Sequence, residues 1–525
     1  MLTSVKSLRG MVTSPHHLAS QAGLSVLQDG GSAIEATVAV AATLAVVYPH
    51  MTGIGGDGFW LVAEPDGRTW SVDACGAAAM TADRSLYGAL EAIPWRGPLA
   101  ANTVAGTVSG WAAALDASHS EMPLARLLRD AIQLAEKGVV VTDGGAQIAA
   151  TKGPELRDQP GAYADIFEPD RRPIRAGEVL RQRKLAETLI LLSRDGLDSF
   201  YRGALARSIS ADLKTLGSPV GLADLSRHKA IKPNPLVVKI LGAKLFNTRP
   251  PTQGLASLLI LALFDKLAAA EPEGFEFVHG LVEATKQAFL CRDAHVGDPE
   301  YMELDPQALL DDTAALEAMV AKIDPARALP WPQPASAGDT CWFGAADTQG
   351  RVVSCIQSTY FEFGSGLVLP DTGIIWQNRG SSFRLRGAWN VIEPGRKPFH
   401  TLNPALARFD DGRVMAYGTM GGEGQPQTQA AIFARYARYG VELQDAINRP
   451  RWLLGKTWGE ESVTLKIEDR FALDLYDDLR AAGHDVELVD PLTPMMGHAG
   501  ALVRHPSGML EGATDPRSDG QVAAW

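Results

Sequence analysis

Thr340 heads a strand-like run, Thr340-Cys341-Trp342-Phe343-Gly344-Ala345-Ala346, directly after a stretch with no structural pattern. That stretch, 325–339, carries prolines 325, 330, 332 and 334 among Ala, Ser and Gly, and reads as a loose connector. A chain break between Asp339 and Thr340 would place a hydroxyl nucleophile and a free α-amine on one residue, the amine able to serve as its base. The local alternative is a threonine opening an ordinary strand. A second candidate is Gly418-Thr-Met-Gly421-Gly422-Glu-Gly424, which ends a strand and precedes a Gln/Ala-rich helix expected over 425–438. Adjacent glycines at a helix start leave N–H groups open to an anion; a plain turn is the competing reading.

Other patterns carry less chemistry. Gly53-Ile-Gly55-Gly56-Asp57-Gly58 matches GxGxxG, but a dinucleotide site needs a strand before it and a helix after it. Here the order is reversed, which predicts a tight helix-to-strand turn. The sequence has no GxxxxGK[ST], no HExxH and no GxSxG, so neither a cofactor nor a metal is expected. His16-His17 adjoin a helix start, where solvated residues are common. Cys75, Cys291, Cys341 and Cys355 lack CxxC spacing and read as reduced thiols of a cytoplasmic protein.

The elements that must position these residues are helices and hairpins. Ser14-Pro15 is expected to start a helix running to Gly30-Gly31, and Ser32-Ala-Ile-Glu35 is a capping box for the next, which stops before Pro49. Strand–turn–strand patterns fall at 59–74, 342–357, 405–418 and 501–511, with amphipathic helices such as 183–194 and 279–292 between them; 154–177 reads as loop. Hairpins with helices at both ends of the chain predict an α+β fold of antiparallel sheets covered by helices. The 49 basic against 61 acidic residues disfavour nucleic acid or an anionic membrane as partner. The longest apolar stretch, 33–48, contains Glu35 and is a buried helix, and the first twelve residues lack the apolar core of a signal peptide.

Several ordered blocks together resemble the γ-glutamyltranspeptidase family of N-terminal-nucleophile hydrolases. They include Ala19-Ser-Gln-Ala-Gly23, the Gly53–Phe59 run, Thr107-Val-Ser-Gly-Trp111, Arg249-Pro-Pro-Thr-Gln-Gly254, Gly297-Asp-Pro-Glu300, Gly338-Asp-Thr340, Phe363-Gly-Ser-Gly366, Gly421-Gly422 and Asp515-Pro-Arg517. The resemblance implies a four-layer αββα sandwich and a precursor cleaved between Asp339 and Thr340. Residues 1–339 would become a large subunit and 340–525 a small one, remaining together as one structural unit, with a homo-oligomer of that pair open. It also implies that Thr340 is the nucleophile, Gly421 and Gly422 the oxyanion hole, Ser358 a hydroxyl supporting the nucleophile, and Arg84 the grip on a substrate carboxylate.

This chain departs from the family where a glutamyl ammonium would sit: Tyr360, Arg379 and Ser382 replace its Asn, Gln and Asp, and His400-Thr401 replace its paired serines. The pocket is thus expected to have lost its acid and gathered Arg84, Arg379 and His400. An unpaired buried ammonium costs several kcal/mol, so a small anionic amide suits it better than an amino acid. The stretch around Ile356–Gly373 and Trp376–Gly380 looks most like the oxamate-hydrolysing members, which make oxalate and ammonia in purine-nitrogen salvage. Two alternatives stay open: a γ-glutamyl hydrolase or transferase, which needs another acid in place of the lost Asp, and an unprocessed binding protein on the same fold.

Overall fold

The computed structural model describes residues 2–331, 339–455 and 463–525. Its thirteen main strands are β1 (Val5–Ser7), β2 (Met11–Ser14), β3 (Asp57–Ala63), β4 (Thr69–Ala74), β5 (Leu236–Ile240), β6 (Ala243–Asn247), β7 (Asp339–Ala346), β8 (Val352–Tyr360), β9 (Ala405–Phe409), β10 (Val414–Thr419), β11 (Ala499–Arg504), β12 (Leu510–Thr514) and β13 (Gln521–Ala524). They form a six-stranded sheet in the order β13-β2-β7-β8-β3-β4 and a seven-stranded sheet in the order β1-β12-β11-β10-β9-β6-β5. Every neighbouring pair in both is antiparallel. All four expected hairpins are present, as β3–β4, β7–β8, β9–β10 and β11–β12.

Side-chain alternation sorts these strands into layers. Phe59, Leu61 and Ala63 of β3 join Leu406, Ala416 and Leu502 in the core between the sheets. Their neighbours Trp60 and Val62 point the other way, into helices α1 (His17–Gln28) and α2 (Ala33–Val47). On the far sheet, Ala405, Ala407, Met415 and Tyr417 pack under α3 (Gly254–Asp265), α4 (Phe275–His295) and α5 (Gly424–Ala437). The result is helix, sheet, sheet, helix: the expected αββα sandwich. Segments before and after residue 339 both contribute strands to each sheet, and β7 is central in its own.

Helix α2 starts at the expected Ser32–Glu35 capping box and is buried along its whole length. Three local expectations are corrected. Ser14 does not cap α1; it ends strand β2, its Oγ donates to the His16 carbonyl at 2.9 Å, and the His16 ring caps the helix instead. His16 is accordingly buried, not solvated. The loop expected over 154–177 begins inside a helix, Asp143–Leu156, and contains a short one, Tyr163–Phe167. Residues 332–338, part of the proline-rich connector, lie outside the described residues. Among those described, no helix is long and apolar enough to cross a membrane.

Candidate active site

Strand β7 brings Thr340 into the middle of the six-stranded sheet, and β8 bulges opposite it. Gln357 pairs with Cys341 and Tyr360 with Asp339, so two residues, Ser358 and Thr359, stand against the single Thr340. The bulge ends with Tyr360 at φ +87°, a conformation that costs a non-glycine residue about 1–3 kcal/mol and tends to cluster at functional sites. Ser358 Oγ accepts the Tyr360 N–H at 2.8 Å, and Ser358 pairs across to Asp57 on β3. Thr340 is buried, and its Oγ1 accepts from Gln425 Nε2 at 3.3 Å.

Gln425 lies in the first turn of α5, just after the paired glycines. Gly421 and Gly422 have φ of +111° and +51°, which lets the chain pass from β10 into α5 in a few residues. Their carbonyls accept from Gly424 N at 2.7 Å and Gln425 N at 3.3 Å. Their own N–H groups meet no acceptor among the described residues. Open amides at a helix start, beside a helix residue bonded to the Thr340 hydroxyl, can hold an oxyanion.

A hydrogen-bonded path leads from there to a cation. Asn403 donates through its backbone and side-chain nitrogens to Gln425 Oε1 (3.3 and 3.2 Å), and through Nδ2 to the Thr401 carbonyl at 3.1 Å. Thr401 Oγ1 accepts from Arg379 Nη2 at 3.0 Å, and the guanidinium carbon lies 3.5 Å from the Tyr360 ring centre. Arg379 is buried, and its Nε and Nη1 have no hydrogen-bond partner among the described residues. Burial lowers its pKa, opposed by Tyr360 and Asp57. A buried guanidinium with two open donors fits a carboxylate.

His400 does not add the positive charge expected of it. Its Nε2 is 3.0 Å from Asp57 Oδ2, and Leu402 N donates to its Nδ1 at 3.4 Å, so the ring is a neutral Nε2–H donor. Burial, and then Arg379, holds its pKa well below the ordinary value. Asp57 Oδ1 accepts from Gly76 N, Gly106 N and Gln377 Nε2 at 3.1, 3.0 and 3.1 Å; burial nevertheless pushes Asp57 up to about 7. Arg84 is also displaced from the expected group. It is exposed at the start of a short 3-10 helix, Arg84–Tyr87, where a long charged side chain is simply solvated, and no described contact joins it to the cluster. Ser382 is half-buried and donates to the Phe399 carbonyl at 3.1 Å.

Sequence reasoning missed Asp57, Gln253, Asn403 and Gln425. Asp57 was hidden in a glycine run read as a turn, and Gln253 lies within one of the blocks that carried the family resemblance. Among the described residues, two clusters have metal-ligand types, Asp57/Cys75/His400 and His279/Glu283/His484. In the first, Asp57 and His400 engage each other beside Arg379, and burial keeps the Cys75 thiol protonated. In the second, His279 Nδ1 and His484 Nε2 are 2.8 Å apart, too close to admit an ion between them, and Lys286 Nζ donates to Glu283 at 2.7 Å. Neither fits a metal.

Residues 19–525 match the family model described as Gamma-glutamyltranspeptidase. The chain is 53% identical to the oxamate amidohydrolase proenzyme of Klebsiella pneumoniae, with 100% of each covered. It is 40% identical to the glutathione hydrolase-like YwrD proenzyme of Bacillus subtilis, with 99% of each covered. Among solved structures, a cephalosporin acylase from Bacillus halodurans superposes with a TM-score of 0.92 at 31% identity, covering 100% of this chain and 97% of that one. By the match of residues 19–525 to the family model and these identities, the chain belongs to the γ-glutamyltranspeptidase family.

Proposed function

We propose that this protein is an amidohydrolase that cleaves its own chain before Thr340 and then hydrolyses a small carboxylate-bearing amide, with oxamate as the first candidate. The observation that carries the reading is Arg379: a buried guanidinium whose Nε and Nη1 have no hydrogen-bond partner among the described residues, linked through Thr401, Asn403 and Gln425 to the Thr340 hydroxyl. The 53% identity to an oxamate amidohydrolase supports it.

In this mechanism Thr340 Oγ attacks the amide carbon and passes its proton to the residue's own α-amine, which titrates near ~8 and is partly neutral at working pH. The Gly421 and Gly422 amides hold the tetrahedral oxyanion, each worth roughly 3 kcal/mol. The protonated amine then gives its proton to departing ammonia, and water resolves the ester. Arg379 and Thr401 fix the carboxylate. Ser358, opposite Thr340, supports the nucleophile. The 1–339 and 340–525 chains stay together in this reading, because each contributes strands to both sheets. The four free thiols suit a reducing, cytoplasmic setting.

The γ-glutamyl alternative needs an acid for the ammonium. Asp57 is the buried acid beside Arg379, but its oxygens already accept from Gly76, Gly106, Gln377 and His400. The test has two parts. Intact mass should give two chains, one ending at Asp339 and one beginning at Thr340, and Thr340→Ala should give one chain and no turnover. Processed protein should release ammonia from oxamate in preference to the aniline from a γ-glutamyl anilide. A working enzyme with a continuous chain, or the opposite substrate preference, would overturn the proposal.

A further inference from the structure

Gln253 occupies a position that the chemistry above leaves unexplained. It lies between the cis Pro250-Pro251 turn and α3, is fully buried, and its single side-chain amide reaches both halves of the candidate site. Nε2 donates to the Thr401 carbonyl at 2.6 Å and to the Gly422 carbonyl at 2.8 Å. Oε1 accepts from Arg292 Nη1 at 3.0 Å, which fixes which end of the amide points inward. Arg292, on α4, is itself held by Glu423 Oε1 at 3.2 Å and by Asp293 Oδ1 at 2.7 Å, with its guanidinium 3.9 Å from the Phe289 ring centre. The backbone reinforces this: Gln253 N donates to the His400 carbonyl at 3.0 Å.

We propose that Gln253, oriented by Arg292, is a positioning residue that sets the distance between the carboxylate grip at Thr401 and the oxyanion amides of Gly421-Gly422. A substrate of a few atoms spans both at once, so an error in their spacing cannot be absorbed by the substrate. Each carbonyl that Gln253 holds belongs to a residue whose other groups act directly: Thr401 through its hydroxyl on Arg379, Gly422 through its N–H. Gly422 sits at positive φ, and its turn is closed by the Gly424 and Gln425 amides. This inference rests on the function proposed above.

The test is Gln253→Met, close in volume and without hydrogen bonds, on full-length protein. Chain cleavage should still go to completion. On oxamate, kcat should fall by about 100-fold, the scale expected when reacting groups are misplaced by about an ångström, with KM changed less than about 3-fold. Hydrogen exchange should rise about tenfold in segments 400–404 and 419–425 and stay unchanged in core strand β8. A merely structural role would instead lower thermal stability and raise exchange throughout. Wild-type kcat in processed Gln253→Met, or unchanged exchange in those two segments, would overturn the proposal. If wild-type protein prefers the γ-glutamyl anilide, the substrate reading fails; the same kcat comparison on that substrate, and the exchange measurement, still decide the role of Gln253. If Gln253→Met does not fold, Arg292→Lys, which keeps the charge and loses the fork onto Gln253, should lower kcat about tenfold with the same exchange pattern; normal kcat there would overturn it equally.

Discussion

Asp57 Oδ2 and His400 Nε2 lie 3.0 Å apart in the buried centre of the molecule, joining strand β3 to the segment that enters β9. The imidazole donates, the carboxylate accepts, and neither group is left to face a substrate. Arg379 is therefore the buried cation of this cluster, with Asp57 as an opposing charge beside it.

Arg379→Met should leave cleavage into 1–339 and 340–525 intact while kcat/KM for oxamate falls about 100-fold, as expected for loss of two charge-assisted hydrogen bonds. Arg379→Lys should recover little, since an ammonium lacks the planar fork. Steady-state ammonia release measures both. Wild-type kcat/KM in Arg379→Met would remove the carboxylate assignment.

Binding of a dianion such as oxalate should weaken as pH rises from 6 to 8. Burial raises Asp57 to about 7, so above that value its charge forms and partly cancels Arg379. The change in inhibition constant should be about tenfold or less, the size of one moderately screened charge pair. Asp57→Asn should flatten the curve. An equally steep dependence in Asp57→Asn would assign the titration elsewhere.

Stability should decline on acidification below pH ~6.5. Burial lowers His16, His50, His228 and His484 to about 3 and His498 to about 4, and takes His400 well below its ordinary value. A depressed folded pKa means that the unfolded chain binds the extra proton. Stability is thus complete above ~6.5 and is lost as pH falls toward the folded values, by up to about 1.4 kcal/mol per pH unit per histidine. Asp57, with its raised pKa, acts in the opposite sense between pH ~4 and 7. Unfolding at pH 7, 6 and 5 checks the balance; stability that rises toward pH 5 would contradict it.

Asp515→Ala should destabilise the protein by about 3–5 kcal/mol, because it removes the carboxylate shared by two buried guanidinium groups. Arg451 Nη1 lies 2.7 Å and Arg517 Nη1 3.1 Å from the Asp515 carboxylate, which also accepts the Ala499 N–H at 2.6 Å. Urea unfolding of the variant measures it. A loss below about 1 kcal/mol would mean that water or Glu468, already paired with Arg517, takes over.

The hairpins were legible because Asp-Gly and Gln-Gly turns separate runs whose alternation matches a two-sided sheet, as in Phe59–Ala63. Helix α2 was legible from Ser32 and Glu35. The start of α1 was misread because a Ser-Pro pair has the same local signature whether it caps a helix or ends a strand. Only pairing of β2 with β7 and β13 distinguishes the two.

The sequence by itself determined the family, the layered α+β architecture, and the candidate pair of Thr340 with the Gly421-Gly422 turn, because these rest on short-range patterns and ordered blocks. Tertiary structure alone decided which charges are buried at the candidate site. It buried Arg379 against Tyr360 and Thr401, left Arg84 in solvent, and matched His400 with an Asp57 some 340 residues away, placing Gln253 between the two halves. Charge state and reach depend on burial and on neighbours that are distant along the chain, and no local pattern contains them.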